Sequence, residues 1–345
     1  MTLRMPNNPD AYLYSRLAGS IPHQSRSGCI STIYYAMADH DNKQADSPKP
    51  KPVPLDEELY TIDDQALEFM KSQTGIQDPE EIKKHILAVQ AEAYAIYPYP
   101  CIRRFSFISL KLGRLPAYQR LLAIGKERKG AILLDIGCCF GNDIRKAVAD
   151  GFPIDGAIGS DLHPEFWDLG HKLFGSTPET FPVPFIPGDA FDPAHLEAVP
   201  PFYAPPDTPV PQLSTIKSLN PLRGHVSVIH ASSFFHLFDE EKQFKLAQSL
   251  AGLLSPEPGS MIIGSHGGRP EKGFRTEAIR TNSHGITMFC HSPESWIELW
   301  DGQIFKKGTV KVEAFLHEVR RSDLQPKDTA PETRFFLLVW SVTRL

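Results

Sequence analysis

The residues best suited to do chemistry are three acids, Asp135, Asp161 and Asp189, each following a short apolar run and standing beside a glycine. Leu133-Leu-Asp-Ile-Gly-Cys-Cys-Phe-Gly-Asn-Asp143 reads as a buried strand that passes into a tight turn, where Gly137 and Gly141 let the backbone approach a ligand. Asn142 and Asp143, in the first turn of the next helix, complete the loop's candidate contacts. A nicotinamide or flavin fingerprint needs G-x-G-x-x-G. Counted from Gly137, the second and third glycine positions hold Cys139 and Asn142, so that reading fails. Asp135 argues the same way, because a carboxylate there repels a pyrophosphate seated on the following helix but suits a ligand bearing an ammonium and a sulfonium.

S-adenosylmethionine carries both groups and is the expected cofactor. Asp161, 26 residues after Asp135 in Ile158-Gly-Ser-Asp-Leu162, falls at the carboxyl edge of the neighbouring strand, where a carboxylate accepts both ribose hydroxyls. Pro187-Gly-Asp-Ala-Phe191 puts Asp189 and Phe191 where an adenine's amino group and ring face lie. Each acid alone is more often a helix cap or turn former; their order and spacing make the nucleoside reading.

Methyl transfer needs little beyond a nucleophile held in line with an activated methyl group. A carboxylate acceptor needs no base, only a cation to orient it, and Arg103 and Arg104 are the candidates. A phenol or alcohol calls for a base, for which His236 and His266, after the fourth and fifth strands, are the choices. Tyr97 and Tyr99, bracketed by Pro98 and Pro100, lie outside any regular helix and fold over the site as a lid. Blander readings stand beside these. Arg103 and Arg104 also read as arginines snorkelling from a surface helix, His230 as a hydrogen-bonded core histidine, and Cys138 and Cys139 as small packed side chains.

The elements that position these residues alternate short apolar runs with helices from residue 130 onward, the pattern of parallel βα units. The strands are expected over 131–136, 157–160, within 183–186, over 225–230 and over 261–265, with an antiparallel hairpin over 310–318 and 334–343. Asp78-Pro79-Glu80-Glu81 starts a helix whose face carries Ile82, Ile86, Val89 and Ala93, and residues 55–127 form a helical cap. Residues 178–221 hold 12 prolines, too many for a helix, and contain a surface insertion over 193–222. Residues 1–54 read as a disordered tail ahead of a catalytic domain over 128–345. A mitochondrial presequence and a natural start at Met37 are the other readings of that tail.

Composition narrows the partners. Among 345 residues, 36 are Lys or Arg and 41 are Asp or Glu, and the net charge of −5 with no basic stripe lacks the footprint of a nucleic-acid binder. No stretch approaches the roughly 18 to 20 consecutive apolar residues of a membrane helix. Five cysteines form neither a disulfide ladder nor C-x-x-C knuckles, so no metal is expected and a reducing compartment, the cytoplasm, fits.

LLDIGCCFGNDIRKAVADG, with GSDLHPEFWDLGHKLF and IPGDAF behind it and YPYPCIRRFSF ahead, resembles the class I S-adenosylmethionine-dependent methyltransferases, and within them the fungal enzymes of meroterpenoid pathways. The resemblance spans roughly residues 90–345 and is strongest over 130–192. It implies an α/β fold, a Rossmann-like doubly wound seven-stranded sheet with the last strand antiparallel, and a small lipophilic acid or phenol as acceptor. Carried over by position, Asp135, Gly137 and Gly141 match the cofactor loop, Asp161 and Leu162 the ribose–adenine edge, and Asp189 and Ala190 the adenine edge. Cys139 departs from the pattern, standing where many such enzymes have glycine, and as a cysteine it is expected to keep a negative φ. The expected activity is methylation of an oxygen, in its sharpest form a carboxylate. Methylation of a nitrogen or a protein side chain, and cofactor binding without catalysis, are the alternatives.

Overall fold

A strand buried on both faces has to be apolar along its whole length, and the first strand is apolar but for Asp135: β1 (Leu133–Ile136) is buried at every residue. The computed structural model describes residues 53–275, 288–319 and 334–345; of the expected tail over 1–54, residues 1–52 lie outside the described residues. After β1 come α5 (Asn142–Ala149), β2 (Ala157–Asp161), α6 (Pro164–Leu173), β3 (Phe185–Pro187), α7 (Pro193–Leu196), β4 (Val228–His230), α8 (Glu240–Leu253) and β5 (Met261–Gly268). A two-stranded ribbon, β6 (Gly273–Arg275) with β7 (Met288–Cys290), then α9 (Pro293–Trp300) precede β8 (Val310–Val319) and β9 (Phe335–Arg344).

The main sheet runs β3-β2-β1-β4-β5-β9-β8. Its first five strands are parallel and β9 is antiparallel to both neighbours, as the resemblance implies. Strand order reverses at β1, so the carboxyl ends of β1 and β4 open the crevice in which such sheets bind ligands. β5 pairs with β4 only over Met261–Ile263 but with β9 along its whole length, so its last five residues run past β4.

Ahead of the sheet stand four helices, of which the first two are capped by the acids before them: α1 (Asp64–Thr74), α2 (Pro79–Ile96), α3 (Pro100–Arg103) and α4 (Tyr118–Glu127). Asp63 accepts from the Ala66 N–H and Asp78 from the Glu80 N–H. Ile82, Ile86, Val89 and Ala93 line the buried face of α2, and each of the larger ones contributes about 1.5–3 kcal/mol by burial. Their core is shared: Phe140 from the β1–α5 loop and Phe166, Leu173 and Phe174 from α6 and its end pack among the cap's apolar side chains.

Two expectations need correction. The proline-rich stretch forms only short turns, but Leu213, Ile216, Leu219 and Leu222 are buried in the main core, so it is anchored to the sheet rather than lying loose on the surface. The fourth strand starts at Val228, not His225, because Val226 is drawn into a bridge with Leu254.

Gly170 tests the fit of α6 against the loop. A Cβ there would stand 2.2 Å from the Phe140 carbonyl oxygen, so Gly170→Ala is expected to destabilise the fold by about 1–3 kcal/mol, read as a lower urea midpoint.

Candidate cofactor and acceptor site

The turn after β1 is built on three left-handed residues, Gly137 at φ 69°, Cys139 at φ 51° and Gly141 at φ 68°. Cys139 therefore does not keep the negative φ expected of it. Left-handed backbone costs a residue with a Cβ roughly 1–2 kcal/mol. What holds it is Asp161, whose Oδ2 accepts from the Cys139 N–H at 2.8 Å while Oδ1 accepts from the His163 N–H at 3.2 Å. Burial pushes the Asp161 carboxyl up against the pull of these N–H groups. Both glycines are walled by aromatic rings: a Cβ would meet Phe234 at 2.7 Å from Gly137 and Trp167 at 2.6 Å from Gly141. The thiols of Cys138 and Cys139 are raised well above the ordinary cysteine range by burial first, which suits packed side chains rather than nucleophiles.

Asp135 is buried, and its Oδ1 accepts from His230 Nδ1 at 2.8 Å. Its Oδ2 has no hydrogen-bond partner. A buried carboxylate oxygen left open beside a glycine turn fits a cationic group such as the cofactor's ammonium. His230 passes the chain onward through Nε2 to the Ser232 hydroxyl at 2.7 Å, which accepts the Ser265 N–H at 3.1 Å. Burial lowers the His230 pKa, but Asp135 and then Asp143 outweigh it, and the net direction is up.

Beside Asp161, Leu162 presents a half-exposed apolar face, and Gly188 N–H donates to the Asp161 carbonyl at 3.0 Å, tying in the third acidic turn. There Asp189 accepts the Phe191 N–H at 2.9 Å, Ala190 is buried, and the ring of Phe191 meets Phe238 at 4.7 Å. Phe238 in turn meets Phe234 at 5.4 Å, so an aromatic wall runs from the Asp189 turn to Gly137. Tyr97 and Tyr99 stack at 4.2 Å and lie 5.6 and 6.2 Å from the His163 ring, over the Asp161 turn. Burial, then the Asp161 charge, raises the Tyr99 hydroxyl.

The remaining candidates are placed elsewhere or in other roles. The Asn142 amide donates to the Ser109 carbonyl at 2.8 Å and Asp143 Oδ1 accepts the Leu112 N–H at 2.8 Å, so these side chains pin the segment ahead of α4 onto α5. Arg103 Nε donates to the Pro54 carbonyl at 2.8 Å and its Nη2 lies 3.8 Å from Asp56, a surface linkage to the chain before α1. Arg104 Nε donates to the Pro100 carbonyl of its own turn at 3.1 Å. Neither arginine is brought to the β1 turn by these bonds.

His236 Nδ1 accepts from the Gly267 N–H at 2.9 Å, and His266 Nδ1 accepts from Trp340 Nε1–H at 3.0 Å. Each neutral ring therefore carries its proton on Nε2 and has no lone pair left for a base. Burial first, then the charges of Arg275 and Lys111, lowers His236 to about 4, and burial followed by His236 and His291 takes His266 well below the ordinary histidine value. The expectation of a catalytic base at either position gives way to that bonding.

Two cations escaped the sequence reading. Lys111 donates to the Ser106 carbonyl at 3.2 Å, and its charge is felt at Cys139, Asp143, His230 and His236. Arg275 is buried at the end of β6. No spacing signal marks either, since both act across long loops. Among the described residues no group of three or more His, Cys, Asp or Glu is set to hold a metal ion, and no helix is long and apolar enough to cross a membrane.

The chain is similar to known proteins. Residues 55–108 match a family described as the meroterpenoid methyltransferase N-terminal domain. The O-methyltransferase phiE of a fungal species is 32% identical over 231 residues, 67% of this chain and 68% of phiE. The asnovolin E/chermesin D methyltransferase nvfJ of Aspergillus novofumigatus is 31% identical over 254 residues, 73% of this chain and 81% of nvfJ. Among solved structures, the Burkholderia thailandensis 1,6-didemethyltoxoflavin-N1-methyltransferase has 12% identity and a TM-score of 0.43 over 78% of this chain and 91% of that one.

Two measurements check the site. Asp161→Ala is expected to weaken adenosylhomocysteine binding by about 1–3 kcal/mol in calorimetry, and unchanged affinity would show that the ribose does not sit there. The buried neutral histidines set a pH dependence. His236 and His291 titrate at about 4 in the folded chain against 6.5 as the ordinary value, so below about pH 6.5 the unfolded chain takes up protons first. Stability is therefore expected to fall as pH drops from 6.5 toward 4, seen as a lower urea midpoint at about pH 5 than at about pH 7.

Proposed function

The chain belongs to the fungal meroterpenoid-type methyltransferases, a branch of the class I S-adenosylmethionine-dependent enzymes, and from that premise we propose that it methylates a carboxylate oxygen of a small lipophilic metabolite. The cofactor supplies a methyl group activated by its sulfonium. The open Oδ2 of Asp135, the Asp161 turn and the wall of Phe191, Phe238 and Phe234 support a cofactor lying along the carboxyl ends of β1, β2 and β3.

The observation that carries the choice of oxygen is the state of the two histidines. With both Nδ1 atoms occupied by N–H donors, His236 after β4 and His266 within β5 offer hydrogen-bond donors but no base. A carboxylate needs none, because it is already ionised at neutral pH. Its oxygen forms the new O–C bond as the S–C bond breaks, the electron pair stays on sulfur, and no proton changes hands. The task left to the chain is orientation at van der Waals contact and exclusion of water. Phe234 against Gly137 and the stacked Tyr97 and Tyr99 supply apolar cover on two sides of the loop.

The test is an acceptor screen with isotopically labelled cofactor, followed by a pH–rate profile. A lipophilic acid is expected to give a product whose label is released by mild base. Its kcat/KM is expected to stay level between about pH 6 and 8, since the acid ionises near 4–4.5 and no histidine base is engaged. Turnover confined to phenols, amines or protein, or a rate that climbs through about pH 6.5, would overturn the carboxylate reading.

A further inference from the structure

The carboxyl end of β5 carries a polar pair that the transfer step leaves unused. Beyond Ile263 the strand's free edge is satisfied by the loop after β4: the Ser233 N–H donates to the Ser265 carbonyl at 2.6 Å, and His236 Nδ1 accepts the Gly267 N–H at 2.9 Å. One residue along, Arg275 Nη2 donates to the Gly268 carbonyl at 2.7 Å, with its guanidinium 3.8 Å from the centroid of Phe335. The two side chains close around Gly267. Its Cβ, were there one, would lie 2.8 Å from Met288 Sδ and 3.7 Å from His236 Nδ1, and Met288 is the β7 residue paired with Arg275.

Arg275 is only 2% exposed, and among the described residues its Nε has no hydrogen-bond partner and its guanidinium bonds a carbonyl rather than a carboxylate. A buried guanidinium has five N–H donors to satisfy and costs free energy when it lacks an anion. Arg145, whose Nε is likewise without a partner, is held by more contacts: it sits over three aromatic rings and bonds Ser176 and His171. Arg275 has one ring and one carbonyl. The chain neighbours of the pair, Leu237 and Phe274, are by contrast 47% and 50% exposed, large apolar side chains next to buried donors. Two residues before His236, Phe234 touches the cofactor loop at Gly137.

We propose that Arg275 and the Nε2–H of His236 bind the carboxylate of the methyl acceptor, with Leu237 and Phe274 taking its apolar body. The proposal rests on the carboxylate reading above and names the residues that select it. Arg275 supplies the charge and a forked pair of donors, and His236 supplies a neutral donor fixed in one tautomer. The groups facing His236 are Arg275, Lys111 and the His266 ring at 6.3 Å, none of them an acid that would hold a proton on Nδ1.

The experiment uses the full chain saturated with adenosylhomocysteine, titrated with farnesoic acid and with its primary amide. The wild type is expected to prefer the acid by about tenfold or more, because the amide leaves the guanidinium without a counter-charge. In Arg275→Met that preference is expected to collapse toward unity while adenosylhomocysteine affinity holds, and His236→Phe to reduce it in part. Arg275→Lys, which keeps the charge and loses the fork, serves if the methionine variant fails to fold, and is expected to retain a reduced preference. A purely structural arginine would lower the unfolding midpoint and leave the acid-to-amide ratio unchanged; that result, or a wild type without preference, overturns the proposal. If acids are methylated in the screen but the ratio ignores both residues, this pair is wrong and the carboxylate reading stands. If only phenols or amines turn over, the carboxylate reading falls and takes the pair with it.

Discussion

A hydrogen-bonded line crosses the middle of the sheet, from Asp135 at the end of β1 through His230 of β4 and the Ser232 hydroxyl to the Ser265 N–H of β5. All four residues are buried, so removing one partner would strand a charge or donor away from water at a cost of about 3–5 kcal/mol for the ion pair. Everything else at the site is arranged on either side of this line. To one side it leaves Asp135 Oδ2 free beside the left-handed turn. To the other it fixes where the loop after β4 leaves the sheet, and with it Phe234 against Gly137 and His236 against Gly267.

The left-handed turn depends on a second carboxylate. Asp161 holds the Cys139 N–H, which offsets the torsional penalty of a cysteine where glycine is the easy residue. The same carboxyl edge carries the Asp189 turn and lies under the rings of Tyr97 and Tyr99. Pro98 and Pro100 set that stack: they end α2 at Ile96 and open α3, leaving the two tyrosines in extended backbone between helices.

How much of this could be read from the sequence follows from the range of each interaction. The strand–turn–helix around Asp135, the βα alternation, the capped α2 with its buried face and the terminal hairpin are set by neighbours within about ten residues, and the sequence expresses them directly. The placement of Asp161 and Asp189 at strand ends is readable because strand ends recur at regular intervals. His236 and His266 were found as residues but not in their roles, since a tautomer is fixed by a partner 31 or 74 positions away. Arg103 was drawn off by Pro54 and Asp56, before any element the periodicity reveals. Arg275 sits in a three-residue strand, too short for alternation to register, and the proline-rich stretch hid four core residues because their spacing follows turns rather than a helix or strand.

Phe140 belongs at once to the β1–α5 loop and to the core beneath α1 and α2. Phe166, Leu173 and Phe174 from α6 and its end join that same core, and the described residues form one compact unit. The stretch 55–108, which kinship marks off as a domain of its own, is thus not a separable folding module. Lineage and cooperativity draw their borders in different places here, and loosening the leading helices would loosen the β1–α5 loop in the same event.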